Sequence, residues 1–358
     1  MHYKFLIYIS YSYALPIGMP LEKEIIKRGW EIQWFADLED GKKALKHKTN
    51  QLNTIEQVSI YRPHVILAVT NDIPDFINAL KVQIFHGFLT HKRPEKNTES
   101  HFRIRGFFDL YCTQGPSTTS VFKTLSKKLK HFEVAETGWS KVDPLFPIEK
   151  RELHSSPTVM VASTFTKRLS LAYNDAVIKK IKDLSESGLF KFIVVLHPKI
   201  PKEIIKRWEN IQNNNLKYEN TTDLIPLFKK TDIMLADTTS AIQEYLLQKK
   251  PVVTFRHNVK RNYLVQIEDV EDIESALNKA LEYPTYLLDN INKFTMELHP
   301  YQDGQSSARV MDACIDLLTK DTSYMRAKPW NLIRKYKIRK RLGIFTLKSY
   351  NRPFKPKM

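Results

Sequence analysis

Four short stretches of this chain carry side chains that could do chemistry, and each borders an apolar run. His86-Gly87 follows the run at 82–85, His197-Pro198-Lys199 follows 190–196, and Asp237-Thr238-Thr239-Ser240 follows 233–236. The fourth, Asp303-Gly304-Gln305-Ser306-Ser307-Ala308-Arg309, precedes an apolar helix-like run at 310–318. An imidazole ending a strand, followed by a glycine that lets a ligand approach the backbone, is placed to take a proton from a hydroxyl. A second imidazole, before a proline that stops the strand, can donate to a phosphate oxygen and stabilise developing charge. Hydroxyls and backbone N–H groups at a strand-to-helix turn suit an anion. An arginine beside two serines suits bidentate phosphate recognition. The joint expectation is a phosphorylated ligand.

Each stretch also has a structural explanation. Either histidine could be satisfied within its turn, and Arg309 could pair with a carboxylate at a capped helix. One polar residue is enough for an N-cap, so the four at 237–240 exceed that need. Glu244, one turn into the next helix, could bind a ribose diol or sit in solvent as a surface carboxylate. Thr164, in the loop 162–168 after another apolar run, could add backbone contacts. There is no GxGxxG fingerprint, no HExxH and no DxD-like pair in a suitable loop, so neither a dinucleotide cofactor nor a metal is expected. Asp75 and Asp109 have no spacing that singles them out. Cys112 and Cys314 stand alone, which excludes a disulfide framework or a cysteine-based zinc site and fits a reducing compartment.

The elements that must position these groups alternate in type. Strands are expected at 5–9, 31–35, 64–69, 82–85 and 110–113, with a helix at 19–28 ended by Gly29. A second series runs through strands at 158–162, 190–196, 233–236 and 251–255, with helices at 241–248, 270–283 and 310–318. Such alternation implies parallel strands with helical crossovers. Ligands of such sheets lie in the crevice at the carboxyl ends of the strands, where His86, His197 and Asp237 fall. The expected division is an acceptor domain at 1–148, a linker near 149–156, a nucleotide-donor domain at 157–310 and a junction helix at 311–325.

A basic tail over 326–358 completes the chain. It holds twelve Lys or Arg and no acid, and so accounts for twelve of the seventeen net positive charges. Trp330, Leu332, Ile333, Tyr336, Ile338, Leu342, Phe345 and Leu347 interleave with them at roughly helical spacing. That pattern reads as an interfacial helix on an anionic membrane surface. Nucleic acid is the rival polyanion and is not expected, since no recognised nucleic-acid module occurs elsewhere. The N-terminus lacks signal-peptide features, and no run approaches the ~20 apolar residues that span a bilayer. The expected location is therefore cytoplasmic, peripheral at the inner face of the cell membrane.

In order and spacing these markers resemble the CDP-glycerol glycerophosphotransferase family, the teichoic-acid primases and polymerases. They include His86-Gly87, Gly138-Trp139-Ser140-Lys141-Val142-Asp143, Leu196-His197-Pro198, Asp237 to Ser240 with Lys250-Pro251, and the 303–309 stretch. The resemblance implies a GT-B-like fold, α/β with two Rossmann-like domains facing across a cleft. It also implies transfer of glycerol phosphate, or a related polyol phosphate, from a CDP-activated donor to a glycan or lipid-linked acceptor, with release of CMP. Carried over, His86 would deprotonate the acceptor, with Gly87 beside it. His197 would stabilise the phosphoryl group with Thr239, Ser240 and Arg309, Ser306 and Ser307 would bind the substrate, and Glu244 would bind the ribose. The family usually reads Asp-Tyr-Ser-Ser and Gly-Tyr-Pro-Arg where this chain has Asp237-Thr238-Thr239-Ser240 and Gly138-Trp139-Ser140-Lys141. Thr239-Ser240 with Gln243-Glu244 is also similar to UDP-N-acetylglucosamine 2-epimerases, another GT-B-like family. A nucleotide-sugar enzyme is the alternative expectation, and a non-catalytic membrane adaptor a third.

Overall fold

The computed structural model describes residues 2–88, 102–149 and 156–356. The chain divides into two compact units, Met1–Pro144 with Leu298–Met358, and Leu145–Glu297. The linker expected near 149–156 lies almost entirely outside the described residues.

The first unit is built on seven parallel strands: β1 (Lys4–Ile9), β2 (Glu31–Ala36), β3 (Gln51–Leu52), β4 (Val65–Ala68), β5 (Leu80–Ile84), β6 (Leu110–Thr113) and β7 (Glu133–Glu136). Their order across the sheet is β3-β2-β1-β4-β5-β6-β7. Helices α1 (Leu15–Lys27), α2 (Glu39–Leu45), α3 (Ile55–Tyr61) and α4 (Pro116–Leu129) make crossovers. The central strands β4, β5 and β6 are buried along their whole length, as strands covered on both faces must be. Local signals set the helix ends. Thr54 and Gln57 form a reciprocal capping box that starts α3, and Arg62 closes it in the left-handed conformation.

The second unit repeats the plan with β8 (Thr158–Ser163), β9 (Lys191–Leu196), β10 (Leu216–Tyr218), β11 (Ile233–Ala236), β12 (Val252–Phe255) and β13 (Val265–Ile267). All are parallel, in the order β10-β9-β8-β11-β12-β13. Its helices are α5 (Asp175–Glu186), α6 (Lys202–Glu209), α7 (Ile225–Lys230), α8 (Ala241–Leu246), α9 (Asp272–Leu281) and α10 (Thr285–Leu298). In each sheet the strand order reverses beside the first strand, between β1 and β4 and between β8 and β11. That reversal opens a crevice at the carboxyl ends of the strands.

The chain then returns to the first unit. There α11 (Ser306–Thr319) buries Val310, Met311, Cys314, Leu317 and Leu318 and packs against α1, β5 and β6. Arg28 at the end of α1 donates to Asp312 at 2.6 Å. Residues 298–310, expected to close the second domain, thus belong with the first, and so does the helix expected at a junction.

The tail corrects a second expectation. Its helix α12 (Leu332–Leu342) buries Ile338 in the core that Phe76 and Ile77 share with the sheet, with Leu342 and Ile344 packed beside it. Four tail cations meet acids of the first unit and are not free for a polyanion. Lys328 lies 2.6 Å from Asp109 Oδ1, both buried. Lys335 and Arg339 lie 3.4 and 2.9 Å from buried Asp75, and Arg341 lies 2.6 Å from buried Asp37. A buried carboxylate needs a partner, because the cost of an unpaired one is several kcal/mol. The basic tail is therefore partly an internal counter-ion.

Inside β5, Lys81 is almost fully buried and donates to the carbonyls of Ile77 and Ala79 at 2.8 and 3.3 Å. Burial, aided by the neighbouring charge of Lys328, pushes its pKa from 10.5 down to about 7. Between those values the unfolded chain holds a proton that the folded chain lacks. Stability conferred through Lys81 therefore rises with pH across this window and is lowest below about 7. Melting curves of wild type and Lys81→Met should show the variant gaining relative stability as pH falls from 10 to 7. A gap independent of pH would mean that Lys81 titrates normally.

Candidate active site

In the first unit the loop after β5 carries His86, which is exposed. Its ring centroid lies 5.9 Å from that of Tyr13, which stacks on Tyr11 at 5.5 Å. The loop is held from below. Trp139 donates its indole N–H to the carbonyl of Phe85 at 2.7 Å, and Gln114 donates to the carbonyl of Gly87 at 3.0 Å. Phe88 packs edge-on against Trp139, with ring centroids 5.0 Å apart.

The Gly138-Trp139 turn has its own support. Gly138 has φ +79°, and a Cβ there would lie 2.5 Å from Ser306 Oγ and 2.9 Å from His299 Nε2, so only glycine fits. His299 Nε2 accepts the backbone N–H of Trp139 at 3.0 Å. Burial lowers the pKa of His299 to about 4, which keeps the ring neutral and able to accept. The Gly138 motif and the 303–309 stretch, far apart in sequence, thus support the loop that bears His86.

That arrangement changes the reading of Ser306 and Ser307. Their backbone N–H groups donate to Asp143 at 2.9 and 2.8 Å, and Ser307 Oγ donates to the same carboxylate at 2.7 Å. The start of α11 already holds an anion, supplied by the chain itself. Burial raises the pKa of Asp143, and these hydrogen bonds oppose that rise. Arg309 pairs with Asp303 and lies 3.9 Å over the ring of Tyr301. Its buried Nη1 has no hydrogen-bond partner among the described residues. Ser306 and Ser307 are therefore support for the turn, and all three residues stand in the first unit.

In the second unit the crevice falls between β8 and β11. Asp237, at the end of β11, is fully buried and faces the protein. It accepts from Ser163 Oγ at 2.6 Å and from the N–H groups of Thr164 and Leu171 at 3.0 and 3.1 Å. Burial pushes its pKa up, and the donors oppose this. Asp237 braces the 163–171 loop, so its expected contact with a ligand is replaced by a positioning one. Thr164 is half-buried, with its N–H committed to Asp237. Thr239 is half-buried, and its Oγ1 accepts the N–H of Ala241 at 3.4 Å; Ser240 is exposed. The helix that follows has only six residues and supplies little dipole. Glu244 points inward and is 7% exposed, which excludes the solvated-carboxylate explanation.

His197 is half-buried at the end of β9. Its Nδ1 accepts the N–H of Lys199 at 3.1 Å, so in the neutral ring the proton resides on Nε2, making that nitrogen a donor. Phe165 packs against it with ring centroids 4.6 Å apart, and Lys199 Nζ lies 5.2 Å from the Phe165 ring. His257, two residues beyond β12, was missed from the sequence. It is half-buried, its pKa is lowered by burial, and its Nδ1 lies 2.8 Å from the carbonyl of Val259. The rule that marked His86 and His197, a histidine after an apolar strand, would have found it. Tyr11, Tyr13, His299 and Asp143 carried no such signal. Among the described residues, no group of three or more His, Cys, Asp or Glu could hold a metal ion.

The family described as UDP-N-acetylglucosamine 2-epimerase matches residues 153–315. No curated protein matches the chain in sequence. Solved structures match its fold over most of its length. The UDP-GlcNAc 2-epimerase from Neisseria meningitidis bound to UDP-GlcNAc is 14% identical, with 87% of this chain and 100% of that one covered and a TM-score of 0.56. The S. aureus MnaA–UDP co-structure is 13% identical, with 89% and 98% covered and a TM-score of 0.58. The wall teichoic acid polymerase TagF is 12% identical, with 87% and 88% covered and a TM-score of 0.56. With two all-parallel α/β units whose strand orders each reverse beside the first strand, this chain has a GT-B-like fold.

Proposed function

We propose that this protein is an enzyme acting on a nucleotide-activated substrate, and that it transfers glycerol phosphate or a related polyol phosphate from a CDP-activated donor. The acceptor is a hydroxyl of a surface glycan or a lipid-linked precursor, reached at the inner face of the membrane. The observation that carries this reading is the pair of histidines at strand carboxyl ends, His86 and His197. The matched TagF structures include variants of two histidines, one of them soaked with CDPG. In this reading His86 takes the proton from the acceptor hydroxyl as its oxygen attacks the donor's polyol-linked phosphorus. The P–O bond to CMP breaks, and CMP leaves with the bridging oxygen. Nε2–H of His197, with Thr239 and Ser240, stabilises the charge on the phosphoryl oxygens, and Glu244 binds the ribose. Asp237, Thr164, Ser306 and Ser307 position these groups. Phosphoryl transfer asks a protein mainly for positioning and charge stabilisation.

The second reading is a nucleotide-sugar enzyme similar to the UDP-GlcNAc 2-epimerases, favoured by the match over 153–315. Incubation with CDP-glycerol or CDP-ribitol and a lipid-linked acceptor, following CMP, is set against incubation with UDP-GlcNAc, following UDP and the epimeric sugar. Release of CMP that depends on the acceptor is expected. Turnover of UDP-GlcNAc alone would replace the first reading with the second.

A further inference from the structure

The tail helix carries apolar side chains on both its inward and its outward side. Its inward side carries Ile338 and Leu342 together with cations held by the acids of the first unit, Lys335 and Arg339 by Asp75, while its outer side sets Leu332, Ile333 and Tyr336 among exposed Lys337 and Lys340. Trp330, Leu332 and Ile333 are 72%, 70% and 74% exposed, and Tyr336, Phe345 and Leu347 are exposed with them. Tyr336 and Phe345 approach each other with ring centroids 6.2 Å apart, which joins the helix and the segment after it into one patch. Six large apolar side chains in eighteen residues are far more than the scattered exposure of an ordinary surface, and such a patch marks a contact. Exposed Lys337, Lys340, Lys348 and Arg352 lie along the same segment, and 326–358 contains no acid.

We infer that this outward face, where exposed apolar side chains interleave with those cations, is the surface by which the protein lies on an anionic lipid bilayer. Aliphatic side chains with tryptophan and tyrosine, edged by lysines, match the acyl boundary and headgroup layers in turn. The helix spans eleven residues, and no described helix is long and apolar enough to cross a membrane, so the contact is interfacial. A second copy fits worse, because a two-fold contact through this face would oppose like charges. Nucleic acid would reward the lysines but leave Leu332, Ile333 and Leu347 in water. The folding of the tail thus separates its cations into two sets, one neutralised within the protein and one facing lipid. This inference rests on the membrane half of the proposed function and not on its transfer chemistry.

The test uses the full chain and flotation with vesicles of phosphatidylcholine alone or mixed with phosphatidylglycerol. Binding to the anionic vesicles at low salt is expected, with a blue shift of tryptophan fluorescence that Trp330→Phe abolishes, since Trp34, Trp139 and Trp208 are buried and half-buried Trp30 packs on Tyr3 and Phe5. Leu332→Gln with Ile333→Gln should weaken binding at least tenfold without changing the melting temperature, because both side chains are exposed. Lys337→Gln with Lys340→Gln should weaken binding and its salt dependence together. No binding of the wild type, or equal binding by the folded Leu332/Ile333 variant, would overturn the inference. So would tighter binding to RNA than to vesicles, or a dimer in solution that the same variant dissolves. CMP release with a soluble acceptor, measured on the same variants, separates failure of this surface from failure of the transferase reading.

Discussion

Replacing Lys328 with methionine should cost about 3–5 kcal/mol of stability, the usual penalty for leaving one partner of a buried ion pair behind. Asp109 is fully buried, and Lys328 Nζ lies 2.6 Å from its Oδ1 and 3.2 Å from the carbonyl of Phe107. The other carboxylate oxygen accepts the N–H of Lys81 at 2.9 Å, which orients the acid but leaves its charge unopposed. Asp109→Asn in the Lys328→Met background should recover much of the loss, since both charges then go. A double-mutant cycle read by calorimetry measures the coupling between the two residues. Near-additive losses would show that Lys328 acts through packing alone. Lys81 sharpens the test, because the charge of Lys328 helps to hold its pKa down. Without Lys328, Lys81 should titrate at higher pH.

Changing His86 or His197 to alanine should lower turnover at least about 100-fold, the scale of a lost general base or charge-stabilising donor. His86 is exposed two residues after β5 and His197 is half-buried at a strand end, so neither change removes a core side chain. Melting temperatures should stay near wild type. The kinetic patterns should differ: His86→Ala should lower kcat with little change in KM for the donor, and its residual rate should rise with pH as the acceptor hydroxyl ionises unaided. His197→Gln keeps a donor near the phosphate and should be milder than His197→Ala. Retention of full turnover by both alanine variants would remove the two histidines from the catalysis, and absence of turnover in the wild type with every donor would favour a non-catalytic adaptor. Such an adaptor would instead fail when 326–358 is deleted, an experiment complicated by the acids that the tail neutralises. The exposed-face variants of the tail avoid that complication.

Much of the fold was legible because buried parallel strands announce themselves as short apolar runs. The expected strands at 5–9, 31–35, 110–113 and 233–236 lie within a residue of β1, β2, β6 and β11. Short or less apolar strands were not legible. β3 has two residues, and β7 reads Glu133-Val134-Ala135-Glu136, with no apolar run to mark it. Pairing with a neighbour, and not their own composition, makes these segments strands. Of the candidate site, the histidines could be found because chain order places them after strands. The fate of Ser306, Ser307 and Asp237 could not, because a hydroxyl or carboxylate at a turn looks the same whether it meets a ligand or another side chain.

What the sequence determined by itself was the alternation of elements and the polar residues that end the strands, properties set by neighbours a few positions apart. Tertiary structure decided which polar groups are occupied. Asp143 reaches across more than a hundred and sixty residues to hold Ser306 and Ser307, and Asp237 reaches back seventy-three to hold Thr164. It decided the tail as well, where twelve cations look alike in sequence. Only folding sorts them, because the cost of burying Asp37, Asp75 and Asp109 draws some cations inward beside Ile338, while Leu332, Ile333 and Tyr336 of the same helix stay at the surface.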